Sequence, residues 1–263
     1  SWGYDLLVDA KRSHWWERAT RYTLRHSAAF VGDCDTIRDL AIGYGMNAER
    51  IVTFPWGVDL DHFTPTNSNA QLAIRQRLGW GKDAFVLLST RGWAPIYGVL
   101  DVARAFIQAA RQHPELRLLM LGNGPQAGSI HRIFEQAQMI DRVHFPGLVS
   151  KEKLADYYRA ADLYVSASHS DGSSISLLEA LACGTPVLLS DISGNKEWVE
   201  EGDVGWLFGE GDAADLASSI VHALHGRADL PQMRRAARLL AEKRANWEDN
   251  FPKLLKAYRL ALG

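Results

Sequence analysis

The run "DLYVSASHSDGSSISLLEALACGTPVLLSD" (residues 162–191) decides the fold. It opens on an apolar burst of strand length and passes through a polar loop. An amphipathic segment then starts near Ser173 or Ser174 and leads to a second apolar burst, "VLLSD". Strand, loop, helix and strand in so short a span make a parallel βαβ unit. The alternation extends both ways. Upstream, "AFVLLST" (84–90) reads as a strand, and 98–113 as a helix with Val99, Val102, Ala103, Phe106, Ile107 and Ala110 at helical spacing. The stretches 116–122 and "RVHFPG" read as strands, 127–139 and "SKEKLADYYRAA" as helices, with Ser150 the expected N-cap of the last. Downstream come "GWLF" and "DAADLASSIVHAL". Continuous apolar strands separated by helices predict an α/β domain with a doubly wound parallel sheet, Rossmann-like and covered on both faces.

The remainder divides around that domain. Residues 1–57 contain a helix ("HWWERATRYTLRHS"), a strand ("AAFVGD"), a helix ("TIRDLAIGYG") and a strand ("RIVTFPWG"), the closing units of an incomplete α/β portion. Residues 58–79 are expected to be linker and lead-in, because "VDLDHFTPTNSNA" (58–70) is polar and turn-rich. Residues 80–245 form the main domain, and 246–263 a return helix that Pro252 is expected to kink or restart. The chain opens on "SWGYDLLVDA", without Met, and is expected to be a fragment.

Composition narrows the classes. The 263 residues carry a formal net charge of −2 and are 47% hydrophobic, an ordinary globular balance without the basic surplus of a nucleic-acid reader. Cys34 and Cys183 are too few and too far apart for a disulfide framework or zinc site, so a reducing compartment is expected. No apolar run approaches the ~20 residues of a membrane span, and no signal peptide opens the chain. A cytoplasmic location is expected, with peripheral contact at the inner membrane face left open.

The central run also carries chemistry. In an open α/β sheet ligands sit at the carboxyl ends of strands. A helix N-terminus there offers free N–H groups and a positive dipole end to phosphate. Asp171 precedes that helix, Gly172 is expected to let a ligand approach the backbone, and Glu179 is expected about two turns inside. Eight helical residues span ~12 Å, roughly the reach of a nucleoside diphosphate sugar. Two carboxylates at that spacing suit hydroxyls at both ends of such a ligand. Without their surroundings, a capping Asp171 and a solvated Glu179 are the better explanation of the pair.

The surroundings resemble the family-4, or group 1, glycosyltransferases of the GT-B fold. Their signature is E-x7-E in a glycine-containing loop and helix, followed by A-x-G-x-P. "DGSSISLLEALACGTP" follows it, with Asp171 in place of the first glutamate. The resemblance continues through "STRGWAPIYG" (89–98), "LGNGP", "VHFPGLVSKEKLADYYRAADLYVSAS", "FPWGVDLDHFTP" and "NWEDN", and it takes "WGYD" as a late strand of the N-terminal domain. It implies transfer of a sugar from a nucleoside diphosphate donor to an acceptor hydroxyl with retention, without cofactor or metal. The acceptor would be a glycan, a lipid-linked glycan or a small molecule. It implies Arg91 and Asp171 as catalytic groups, Arg91 on the diphosphate, and backbone N–H groups of Gly172, Ser173, Ser174 and Ile175 on the distal phosphate. It places Asp171 on the sugar, Glu179 on the ribose and the Val149 backbone on the base. Three positions depart from the pattern: Asp171 is shorter than glutamate, Tyr97, taken as a donor-binding residue, stands where lysine is usual, and Trp2 stands where histidine is common.

Other signals carry less. "DLD" (59–61) and "DCD" (33–35) lie in a linker and before a helix, which are poor places for a D-x-D metal motif. "GNGP" (122–125) is a weak nucleotide-turn signal, and the adjacent His169, Ser170 and Asp171 cannot form a hydrolytic triad. Most of the nine tryptophans are expected in core and interface packing, and "KEWVEEG" as helix and turn rather than a binding face. Two alternatives remain: a nucleotide-sugar-binding module without catalysis, and a GT-B relative such as an epimerase or phosphorylase. The latter's catalytic acids or pyridoxal-binding lysine are not recognisable here.

Overall fold

In the computed structural model, which describes residues 1–65, 68–199 and 203–262, the chain builds two parallel sheets. The smaller comes first, from α1 (Tyr4–Leu7), α2 (His14–His26), β1 (Phe30–Gly32), α3 (Asp35–Gly43) and β2 (Ile51–Thr53). β1 and β2 pair with Phe30 opposite Ile51. Ser13 caps α2 by accepting the Trp16 N–H at 3.4 Å. The late strand expected at "WGYD" is absent: Gly3 takes a φ of 100°, and the Leu7 and Val8 N–H groups bond back to Gly3 and Tyr4, so the chain coils into α1.

Helix α4 (Ser68–Arg77) follows, within a stretch read from sequence as linker and lead-in. Thr66 and Asn67 of that stretch lie outside the described residues. Arg75 pins α4 to the larger sheet, donating to the Ala160 carbonyl at 2.8 Å and pairing with Asp162 at 2.8 Å.

The larger sheet is the predicted doubly wound one. Along the chain come β3 (Phe85–Ser89), α5 (Val99–Ala110), β4 (Leu116–Met120), α6 (Ala127–Gln136), β5 (Val143–His144), α7 (Lys151–Ala160) and β6 (Leu163–Ser166). They are followed by α8 (Ile175–Ala182), β7 (Val187–Ser190), α9 (Ser193–Lys196), β8 (Gly205–Phe208), α10 (Ala213–His225), α11 (Leu230–Arg244) and α12 (Trp247–Leu262). The strand order is β5-β4-β3-β6-β7-β8, parallel throughout. Alternation along β3 builds two cores: Phe85 and Leu87 meet α5, α6 and α10, while Val86 and Leu88 face α7 and α8. From β3 the chain winds outward through β4, and from β6 it winds the opposite way through β7. The crevice between the carboxyl ends of β3 and β6 is the topological switch point, where such sheets bind ligands.

α12 runs through Pro252 as one helix, so the restart expected there does not occur. Trp93 and Trp198 are buried and Trp56, Trp80 and Trp206 pack against the cores, as expected of most tryptophans, whereas Trp2, Trp15, Trp16 and Trp247 are exposed. Ser150 does take the N-cap position of α7, yet its hydroxyl makes no capping bond. Cys34 and Cys183 are free and buried, and burial pushes both thiols up to about 12.

Candidate functional site

Arg91 and Asp171 meet at the switch point from opposite sides. Arg91 follows β3, and its position depends on the "GNGP" turn: a Cβ on Gly122 would lie 2.8 Å from the Arg91 carbonyl, and one on Gly124 2.6 Å from that of Trp93. Those glycines therefore seat the arginine loop. Arg91 Nη2 donates to Asp171 Oδ2 at 2.6 Å, and Nη1 donates to the Ser174 and Ser176 hydroxyls at 2.6 and 3.0 Å. The guanidinium lies 4.2 Å from the centre of the Tyr97 ring. Tyr97, in the place of the usual lysine, thus stacks on the Arg91 cation. The buried Arg91 Nε–H has no partner among the described residues. Burial raises the Asp171 carboxyl above its ordinary range, with the Arg91 charge opposing that shift.

α8 starts at Ile175 with Ser174 as an N-cap that makes no side-chain capping bond. The first-turn N–H groups of Ile175, Ser176 and Leu177 consequently have no intrahelical acceptor. The expected cradle is narrower at its front. Gly172 N–H turns to Asp171 Oδ1 at 3.1 Å, and Ser173 N–H is taken by Asp33 Oδ2 at 3.0 Å. The space at Gly172, expected to admit a ligand, is filled by protein: a Cβ there would stand 2.5 Å from both Asp33 carboxylate oxygens.

Glu179 is the fifth residue of α8, so it sits in the second turn rather than two turns inside. Its Oε2 accepts the Tyr158 hydroxyl at 2.8 Å, and Tyr158 in turn meets Thr90 at 3.1 Å. Burial lifts Glu179 to about 7, against the lowering effect of the Tyr158 bond. Arg91, Val149, Ile175, Ser176 and Glu179 line one cleft of about 290 Å³. A second cleft, of about 430 Å³, is lined by His169, Ser170 and Asp171 together with Leu7, Val8 and Lys11 of the smaller sheet's side. His169 there pairs with Glu210 at 2.5 Å, not with Asp171.

Sequence reasoning missed Asp33 and Glu197. Asp33 ends the β1 turn almost wholly buried, and burial raises it to about 6. Glu197 accepts the N–H groups of Asp35 and Thr36 at 3.0 and 2.9 Å. "DCD" carried the signal and "KEWVEEG" the other half, but only the fold shows that they meet. The other acidic pair is a turn: Asp59 Oδ1 accepts the N–H groups of Asp61 and His62. A further groove lined by Pro65, Arg159, Arg234 and Arg238 spends its arginines on main-chain carbonyls of Thr64, Ala161, Phe63 and Ala182.

Residues 70–240 match the family model described as "Glycosyl transferases group 1". The chain belongs to the group 1 glycosyltransferases. It is 33% identical to D-inositol 3-phosphate glycosyltransferase of Geodermatophilus obscurus, over 86% of this chain and 51% of that protein. It is 32% identical to the protein of the same description from Xylanimonas cellulosilytica, over 85% and 54%. The chain thus spans about half the length of the curated relatives it matches. The structure of Anabaena Alr3699/HepE in complex with UDP and glucose superposes with a TM-score of 0.86 at 20% identity, covering 98% of this chain and 70% of that one. Sucrose-phosphate synthase (tll1590) from Thermosynechococcus elongatus gives 0.81 at 25% identity, covering 96% and 63%. The chain's fold matches that of these GT-B neighbours. Among its described residues no helix is long and apolar enough to cross a membrane.

Proposed function

We propose that this chain holds a nucleoside diphosphate sugar at the β3–β6 switch point, as the donor-binding part of a glycosyltransferase that passes a hexosyl group to an acceptor hydroxyl with retention. The observation that carries the reading is that Arg91, the open first turn of α8 and Glu179 line one cleft and Asp171 a second, with the Arg91–Asp171 bond joining the two. Solved neighbours in complex with UDP, UDP and glucose, or UDP-glucose support this donor class. The diphosphate sits against Arg91 Nε–H and the α8 N–H groups. Ribose lies towards Glu179, the base towards Val149, and the sugar beyond Asp171. As the glycosidic bond breaks, these fixed donors stabilise the charge left on the diphosphate, whose oxygen takes the acceptor's proton. The reading needs neither a metal nor an organic cofactor. It places the reaction in the cytoplasm, peripheral membrane contact being compatible with it. The residues that would present an acceptor are few in a chain half the length of its relatives, so transfer by these 263 residues alone is expected to be negligible.

Two substitutions test it by calorimetric titration with UDP and UDP-glucose. Glu179→Gln weakens both ligands by ~1.5–3 kcal/mol, since a charged acceptor to the ribose is lost. Asp171→Asn weakens UDP-glucose alone. Because Asp171 otherwise engages the Arg91 guanidinium, UDP binds that variant as well or better. Equal losses of UDP in the two variants would refute the assignment.

A further inference from the structure

The loop that carries Asp171 is held from across the cleft. Asp33, in the turn just after β1, is 3% exposed. Its Oδ2 accepts the Ser173 N–H at 3.0 Å, and its main-chain carbonyl accepts the Ser173 hydroxyl at 2.9 Å. The same hydroxyl accepts the indole N–H of buried Trp198 at 3.0 Å. Behind the loop, a Cβ on Gly194 would stand 2.6 Å from the Gly172 carbonyl and 2.8 Å from that of Asp171. Residues 171–173 are therefore clamped between the Asp33 carboxylate on one side and the α9 backbone on the other.

A second bond runs the opposite way. Cys34, the N-cap of α3, offers no side-chain acceptor to that helix. Glu197, next to Trp198, supplies it instead, taking the Asp35 N–H at 3.0 Å and the Thr36 N–H and hydroxyl at 2.9 Å each. The turn at residues 33–36 lends an acceptor to the donor loop and receives one from the segment after α9. The Asp33 Oδ1, moreover, is buried without a partner among the described residues. An unpaired buried carboxylate oxygen is costly, and in a native protein it calls for an explanation beyond packing.

We propose that Asp33 is a positioning residue for the donor sugar: from the smaller sheet it fixes the 171–173 loop so that Asp171 meets the sugar, and Glu197 closes the same bridge in return. The inference rests on the donor reading above and extends it. The sugar end of the site is then set by both sheets, and the nucleotide end by the larger sheet alone.

The test titrates the chain and its Asp33→Ala, Asp33→Asn and Glu197→Gln variants with UDP and UDP-glucose, and follows amide exchange of residues 171–175 without ligand. Asp33→Ala is expected to weaken UDP-glucose at least tenfold, change UDP less than twofold and speed exchange at Ser173. Asp33→Asn, which keeps an acceptor oxygen, is expected to recover most of the loss. Should Asp33→Ala fold poorly, Glu197→Gln carries the test, with the same sugar-selective loss expected. Equal weakening of both ligands, unchanged UDP-glucose binding, or an Asn variant as impaired as Ala overturns the positioning role while leaving the donor site standing. A wild-type chain that binds neither ligand sinks the donor reading, and this role with it.

Discussion

Glu179 shows how one residue reports on the site. Held at about 7 by burial, its carboxyl keeps in the folded chain a proton that the unfolded chain releases near pH 4.3. Folding stability is therefore fullest below that lower value and falls as pH rises to about 7, by on the order of 3 kcal/mol from this group. Glu179→Gln is expected to flatten that share of the slope in denaturant melts between pH 4.5 and 7.5. Ribose hydroxyls donate best to the ionised form, so binding of UDP-glucose, whose doubly esterified diphosphate has no group titrating at about pH 6, should release protons near pH 6.5 and tighten as pH rises. Calorimetry in buffers of different ionisation enthalpy reads that release directly, and Glu179→Gln should abolish it. Asp171 and Glu179 were legible in the sequence because one strand-end loop and the short helix after it hold them at a fixed spacing, and Arg91 because its loop after β3 carries the family resemblance. Asp33 was not: its bond to Ser173 spans 140 residues, and an isolated acidic residue before a helix looks like a cap.

At the scale of elements, the turn after β3 explains the departure at Tyr97. Residues Pro95–Tyr97 form a short 3-10 turn, and the Ile96 carbonyl accepts the His169 N–H at 2.9 Å, which ties this turn to the loop after β6. Tyr97 is thereby presented face-on to Arg91. The aromatic face orients the guanidinium but adds no positive charge for a diphosphate. Tyr97→Phe should leave UDP binding unchanged, because the contact uses the ring and not the hydroxyl. Tyr97→Lys restores a second cation, so UDP should bind about five- to tenfold tighter, with a small loss of melting temperature from the missing cation–π contact. Titration and thermal melts of the two variants decide, and a lysine variant that binds UDP no better would place the phosphates away from this turn. Sequence periodicity revealed every strand of the larger sheet, since buried parallel strands are continuous apolar runs. It missed α4, whose sequence "SNAQLAIRQR" lacks an amphipathic stripe and which is tied down by Arg75 through Ala160 and Asp162, far along the chain.

Over the whole molecule, the last helix decides how the two sheets stay in register. α12 leaves the larger sheet at Asn246, which bridges to Val58, and crosses to the smaller one, where Leu254, Ala257 and Leu260 pack with Val52, Phe54 and Trp56. Asn250 fastens the crossing: it is 2% exposed, and its amide donates to the Pro55 carbonyl at 2.8 Å and to the Arg244 carbonyl at 2.9 Å. One side chain thus joins the strand exit of the smaller sheet to the end of α11. Asn250→Ala leaves both part-buried carbonyls without that donor, a loss of about 2–3 kcal/mol. In a chain of this size that lowers the melting temperature by roughly 5–10 °C. The damage should not be uniform. If α12 is the strap between the sheets, amide exchange accelerates in β1, β2 and the 33–36 turn while β3, β4 and β6 keep their protection, and UDP-glucose binding falls more than UDP binding because the Asp33 contact is loosened with them. Uniform loss of protection across both sheets would mean that the chain unfolds as one unit, and that α12 contributes packing without governing how the smaller sheet meets the donor loop.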